Sequence, residues 1–313
     1  MRKTSLAAAL VLTACAAVAA ETPVKVLVQG TAHQALFGVS FNGPQGVAVG
    51  AAGEVQTTED GGKTWKKSKV PTDLSLLAVH LDAARAVAVG QSGTAFIRST
   101  GAQWEKVDVG TDKRLFGVSA NVGGLVAVVG EFGGLYVSED GGRAWRQVTP
   151  DWSQYVAEAG VEPHLYGVDV SAEGAITIVG EFGLILRSVD KGQTWSMRSR
   201  GEASLFAIDI RDDGNGYAVG QDGMIMKTWN HGDSWVCVDS GSRAILTGVW
   251  SSANGQVTVS GMREGVVSTD DGTTWQRIDN PEVSTVWYVG VASPGEGGAL
   301  MVGQAGRVIR IGG

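Results

Sequence analysis

The feature that most limits what this chain can become is a repeat of about forty residues, carried by three short motifs in fixed order. The first is an apolar run with a small residue inside it. It occurs as Leu36-Phe37-Gly38-Val39, Leu76-Leu77-Ala78-Val79, Leu115-Phe116-Gly117-Val118, Leu165-Tyr166-Gly167-Val168, Leu205-Phe206-Ala207-Ile208, Leu246-Thr247-Gly248-Val249 and Val286-Trp287-Tyr288-Val289. The second is a short apolar strand closed by Gly, with anchors at Gly50, Gly90, Gly130, Gly180, Gly220, Ser260 and Gly303. The third is a strand running into a Ser/Thr-x-Asp-x-Gly-x-x-Trp turn, an Asp box. Its key residues are Asp60 and Trp65, Asp140 and Trp145, Asp190 and Trp195, and Asp270 and Trp275. Trp235 closes a copy with Asn230 in place of the Asp, and residues 99–104 are a shortened copy.

A unit of this length cannot bury its own apolar face, so units must stack. Several short strands per unit predict an all-β, seven-bladed β-propeller with four-stranded blades. The Leu-x-Gly-Val run is expected innermost, and the strand after the Asp box outermost. The seventh unit has no Asp box and supplies three strands. Val24-Lys25-Val26-Leu27-Val28 is spare and is expected to close the ring as the outer strand of the last blade, hiding both sheet edges. In the boxes, Ser/Thr and Asp oxygens are expected to accept turn N–H groups, Gly to supply positive φ, and Trp to bury its ring beside the next blade. A structural reading is preferred to a calcium loop, whose ligand series is missing.

Residues 1–20 read as a signal peptide: Arg2-Lys3, an apolar Ser5–Ala14 and small residues to Ala20. Residues 21–313 then form the propeller. Leu12-Thr13-Ala14-Cys15 also reads as a lipobox, which would anchor the chain at Cys15. Both readings export the protein to the periplasm or cell envelope. The net charge of −7 becomes −9 once Arg2 and Lys3 leave, which argues against a nucleic-acid partner. Cys237 would be the one cysteine of the mature chain, and its strand context suits a small hydrophobe better than a nucleophile. No cofactor or metal is expected: the four His are scattered, and no phosphate loop or Gly-x-Ser-x-Gly occurs.

The turns after the Gly anchors and the connections between blades should share one face of the disc. That face collects Lys113, Arg114, Glu131, Phe132, Glu181, Phe182, Arg200 and Arg243 as candidate partner-binding residues. The ten extra residues between Gly130 and Gly180 fall in 150–164. A short helix capped by Asp151 or Ser153 is expected there, with Trp152, Tyr155, Val156 and Ala159 on one side. Trp152 and Tyr155 are candidate contacts, since such rings dominate binding hot spots; the alternative reading is that they merely pin the loop to the disc. Arg98, Arg187, Lys227 and Arg310 share one place on the third strands. They are read either as local inter-blade contacts or as a docking patch.

Gly180-Glu181-Phe182-Gly183-Leu184-Ile185-Leu186-Arg187-Ser188 and Gly220-Gln221-Asp222-Gly223-Met224-Ile225-Met226-Lys227-Thr228 carry the pattern Gly-x-x-Gly-x-Ile/Leu-x-Arg-Ser running into the box. With the Asp boxes, they make residues 24–313 resemble the BNR/Asp-box propellers, and within them the photosystem II stability/assembly factor-like family. The resemblance implies an exported, non-enzymatic propeller that helps a membrane-protein complex assemble, and it leaves the partner open: an envelope or membrane protein complex, a transporter among the candidates, met by a monomer. The rival readings are an Asp-box glycoside hydrolase and a glycan-binding propeller. Glu131 and Glu181 lie one per blade on one face and could serve as an acid/base pair. The Phe-Arg-Ile-Pro segment of sialidases is missing.

Overall fold

The computed structural model describes residues 22–156, 160–295 and 297–312. The expected signal peptide, its cleavage site and Cys15 lie outside the described residues. The chain forms seven four-stranded antiparallel sheets. Neighbouring inner strands pack on one another, and the first packs on the last, so the sheets form a closed ring. The inner strands are Leu36–Asn42, Leu76–Leu81, Leu115–Ala120, Leu165–Val170, Leu205–Ile210, Leu246–Ser251 and Tyr288–Ala292. Each sheet then runs outward in chain order, as in blade 1 through Gln45–Gly50, Glu54–Thr58 and Lys66–Lys69. In blade 7 the outer place is taken by Val24–Val28, antiparallel to Val308–Ile311, with Val24 opposite Ile311 and Val26 opposite Ile309. The ring closes as the sequence implies.

The small residue of the first motif is dictated by how closely inner strands approach at the axis. A Cβ on Gly38 would lie 3.0 Å from the Ala78 Cα, and one on Gly117 would lie 2.9 Å from the Tyr166 carbonyl oxygen. The Gly anchors answer a second crowding. A Cβ at Gly130 would fall on the Arg114 carbonyl oxygen, and the same holds for Gly50, Gly90, Gly220 and Gly303 against the residue before their inner strands.

Two registers read from the sequence need correction. The sixth anchor is Gly261 rather than Ser260: Leu246 pairs with Gly261 as Leu36 pairs with Gly50. In blade 7 Tyr288, opposite Gly303, takes the Leu place, so the motif reads Tyr288-Val289-Gly290-Val291, two residues later than expected. Gly290 carries the small-residue requirement, since a Cβ there would lie 3.2 Å from the Val39 nitrogen.

The box turns fold as their chemistry demands. In blade 3 the Ser138 hydroxyl donates to Asp140 Oδ1 (2.8 Å) and accepts from the Gly142 N–H (2.9 Å). Asp140 also accepts from the Ala144 N–H (2.9 Å), and the Trp145 indole donates to the Gly142 carbonyl (2.9 Å). Blades 1, 4 and 6 repeat the Ser/Thr and Asp bonds, and Asn230 serves in blade 5. The Trp seats differ from expectation. Each ring packs against the preceding blade, not the following one: Trp145 sits with Val87 and Ile97 of blade 2, and Trp275 lies edge-on to Tyr217 of blade 5.

Candidate functional site

The face shared by the anchor turns and the inter-blade connections is built from one repeated bond pattern. The first residue after each anchor donates its N–H to the carbonyl of the residue before the inner strand, as Glu131 does to Arg114 (3.0 Å) and Glu181 to His164 (3.0 Å). Four side chains at that position return the bond. Gln91 accepts from the Ser75 N–H (2.9 Å), Glu131 from Arg114 (2.8 Å), Glu181 from His164 (2.8 Å) and Gln221 from Ser204 (2.9 Å). Glu131 and Glu181 therefore clamp strand entrances. One oxygen of each carboxylate is thereby committed to the backbone of its own strand entrance.

Inside this collar, the residue after each inner-strand Leu or Tyr lines the axial mouth. These are Phe37, Leu77, Phe116, Tyr166, Phe206, Thr247 and Val289. With Gln91 and Arg114 they enclose a cavity of about 450 Å³ open to this face. The rings are in mutual contact: Phe116 and Tyr166 lie 5.4 Å apart, and Tyr166 and Phe206 5.0 Å, edge-on. Phe37 stacks on Trp287 across the last seam at 6.0 Å. Burial, with the Glu181 carboxylate nearby, holds the Tyr166 phenol above its ordinary pKa, so it stays neutral and can donate a hydrogen bond.

The candidates from the sequence distribute unevenly around this cup. Arg114 is exposed at its rim and lines the cavity. Phe132 is 55% exposed, and its ring lies 4.6 Å from that of His164, which continues the contacts toward Phe116 and Tyr166. The Phe132 N–H donates to His164 Nδ1 (3.0 Å). Phe132 holds φ of +51° and Phe182 of +60°, a left-handed conformation that is costly for a bulky residue. Every anchor turn places its second residue there, from Ala52 to Ala305. Lys113 donates to the Phe132 carbonyl (2.7 Å) and lies 3.8 Å from Glu162, so it braces the turn. Arg200 and Arg243 are exposed on the outer connections, and the Arg243 guanidinium donates to the Ser242 carbonyl (3.1 Å).

The insertion at 150–164 departs from the expected helix. Its described residues make one 3₁₀ turn, Trp152–Gln154, with Asp151 as its cap. Trp152 is 7% exposed, seated over Gly133, and Val156 is buried. Trp152 thus pins the loop to the disc and is not available as a surface anchor. Tyr155 is half-buried and donates to the Trp195 carbonyl (3.0 Å). Ala159 lies outside the described residues.

The third-strand cations lie on the other face and have local work. Arg187 Nε donates to the His231 carbonyl (2.9 Å), Lys227 Nζ reaches Asp271 Oδ2 (2.9 Å) and its carbonyl, and Arg310 donates to the Gly61 carbonyl (2.6 Å). Each accepting residue follows the Asp or Asn of the next blade's box and has positive φ. These bonds stitch blade to blade. Arg98 instead stacks over Trp104 at 4.9 Å.

Sequence reasoning missed the return clamps, His164 and the aromatic lining. The lining had a signal: the position between Leu and Gly/Ala in the first motif is aromatic in four of seven copies, which core packing alone does not require.

Comparison with known proteins follows the same lines. A family model described as Photosynthesis system II assembly factor YCF48 matches residues 18–152. Among curated proteins, no sequence matches. Solved structures share the fold, two of them named for YCF48. "YCF48 bound to D1 peptide" superposes with a TM-score of 0.71 at 17% identity, covering 95% of this chain and 96% of that one. "YCF48 from Cyanidioschyzon merolae" gives 0.71 at 19% identity, covering 92% and 98%. Through its first blades by sequence and around the whole ring by fold, the chain resembles the photosystem II assembly-factor propellers, as its anchor turns and boxes suggest.

Proposed function

We propose that the chain is an exported, non-enzymatic assembly factor that holds a segment of an envelope or membrane protein complex in the axial cup. The observation that carries this reading is the continuous aromatic surface from exposed Phe132 through His164, Phe116 and Tyr166 to Phe206, with the Arg114 guanidinium at its edge. Aromatic rings offer large contact area at low entropic cost, and Arg binds carboxylates in a fixed fork. An apolar side chain entering the cup, with an acidic group beside Arg114, fits this chemistry. A peptide-bound YCF48 structure among the relatives supports a peptide as the ligand class. The bonds that hold Glu131 and Glu181 weigh against the glycosidase reading.

Export through residues 1–20 places the protein in the periplasm or envelope in this proposal, and a transporter complex is the first partner to test. Photo-crosslinking in intact cells, from a probe at position 132, reads the partner out directly. Phe116→Ala with Phe206→Ala is expected to abolish the crosslinked species while leaving folding intact, and Arg114→Ala to weaken it. Equal capture by wild type and the double variant, with both folded, would show that the cup is not the site.

A further inference from the structure

Because every blade repeats the same positions, the ring carries its own controls for an unusual cluster. Three places share the sheet face that each blade turns to the blade before it. One is at the entrance of the third strand, one is two residues later, and one is the outer-strand residue opposite the second. In blade 1 they are Glu54, Gln56 and Lys67. There the Gln56 amide donates to Glu54 Oε1 (2.8 Å), and Lys67 Nζ lies 3.9 Å from the same oxygen. In blade 6 the outer member, Arg277, donates to Glu264 at the strand entrance. The three places therefore meet in space.

In blade 5 they hold Met224, Met226 and Cys237. Cys237 Sγ lies 3.6 Å from Met224 Sδ. Met226 stands directly opposite Cys237 across the sheet, and it packs with Met224 in the cluster facing blade 4. Three sulfurs thus share one face. The described residues contain five methionines and one cysteine, so half of their sulfur is gathered here. No other blade has more than one sulfur at these places, Met197 in blade 4. Cys237 is exposed, so the role of a small core hydrophobe does not account for it. Met224 and Met226 are half-buried beside it.

Thiol and thioether sulfurs are soft donors, which select Cu(I) over the divalent ions that prefer imidazole and carboxylate. For those harder ions, no three His, Cys, Asp or Glu side chains gather into a metal site among the described residues. Two metal–sulfur bonds of about 2.3 Å reaching sulfurs 3.6 Å apart enclose an angle of about 100°, which leaves room for a third sulfur. One thiolate and two thioethers around Cu(I) carry no net charge, which suits a half-buried place.

We propose that Met224, Met226 and Cys237 form a binding site for Cu(I). Binding breaks the Cys237 S–H bond, forms three Cu–S bonds, gives the proton to water and changes no oxidation state. The site lies on the outer rim of blade 5 and does not depend on the role of the axial cup.

The test titrates the full chain with Cu(I), held under argon in competition with a chromophoric chelator, and with Ag(I) as a redox-inert ion of the same soft class. In spectra of ε-methyl-labelled methionine, the Met224 and Met226 signals should shift together and saturate with either ion. Those of Met197, Met262 and Met301 should stay. Cys237→Ser should abolish these shifts. Met224→Leu and Met226→Leu, which keep the apolar volume, should each weaken binding by about tenfold or more. Unmoved Met224 and Met226 signals would overturn the site, and the wild-type spectra decide this even if a variant folds poorly. Shifts spread equally over all five methionines, or equal affinity of wild type and both leucine variants, would overturn it too, the latter leaving the thiol as the sole ligand.

Discussion

Ser138 shows how much of the ring depends on single hydroxyls. It is 1% exposed, donates to Asp140 and accepts from the buried Gly142 N–H. Ser138→Ala strands that N–H and is expected to cost about 1–3 kcal/mol in denaturant unfolding. Phe132 is the opposite case, a residue that costs the fold something. Its left-handed backbone suits Gly, so Phe132→Gly is expected to leave stability unchanged or raise it by up to about 1 kcal/mol. Partner capture should nevertheless fall, and a parallel fall in stability and capture would assign the ring to packing instead. Asp169 introduces a pH dependence. Protein crowds it within the inner strands, and burial, with the Asp209 carboxylate next in effect, pushes its pKa from 3.8 up to about 7. Below pH 3.8 both folded and unfolded forms hold the proton. Between there and about 7 the unfolded chain ionises while the folded carboxyl does not, so rising pH erodes stability across that window. Asp169→Asn keeps an acceptor for the Ile210 N–H and is expected to remove this slope, gaining on the order of 1–3 kcal/mol at pH 8 in a pH series of unfolding midpoints.

At the scale of the strand and turn, the anchor glycines and the cation stitches set blade geometry. Gly130→Ala would drive a methyl into the Arg114 carbonyl, and neither backbone can retreat without moving an inner strand. Loss of folded protein, or a destabilisation of about 3 kcal/mol or more, is the expected outcome. Blade number, strand order and the closing strand were legible in the sequence because each rests on a local rule repeated many times. Errors fell where a copy was irregular. Ser260 stood in for Gly261, and Val286-Trp287 for Tyr288-Val289, because one apolar run resembles another until pairing fixes its register. The two readings of Trp152 could not be separated for a different reason: burial of a loop ring depends on whether a glycine lies beneath it, and Gly133 is nineteen residues earlier in the chain. The third-strand cations were placed correctly on their strands, but their acceptors are carbonyls of the next blade, which no spacing within one unit reveals.

Across the whole molecule, a ring of seven similar sheets is only as strong as its least sealed joint. Among the described residues no tryptophan packs in the cluster between blades 6 and 7, and blade 7 takes its outer strand from Val24–Val28, paired with Val308–Ile311. Lys25→Pro removes an N–H from that pairing and is expected to lower the melting temperature by roughly 5 °C or more. Hydrogen exchange should then rise first in 299–311, and an unchanged exchange pattern there would show that closure does not limit stability.

The pairing of Val24 with Ile311 also has a consequence in time. The first of these strands to leave the ribosome must wait for the last before it finds a mate. A nascent chain interrupted anywhere short of residue 308 keeps an unsatisfied strand edge, the mark that proteases and chaperones read on unfinished products. Arrival of that late strand is thereby the condition for a ring without an open edge.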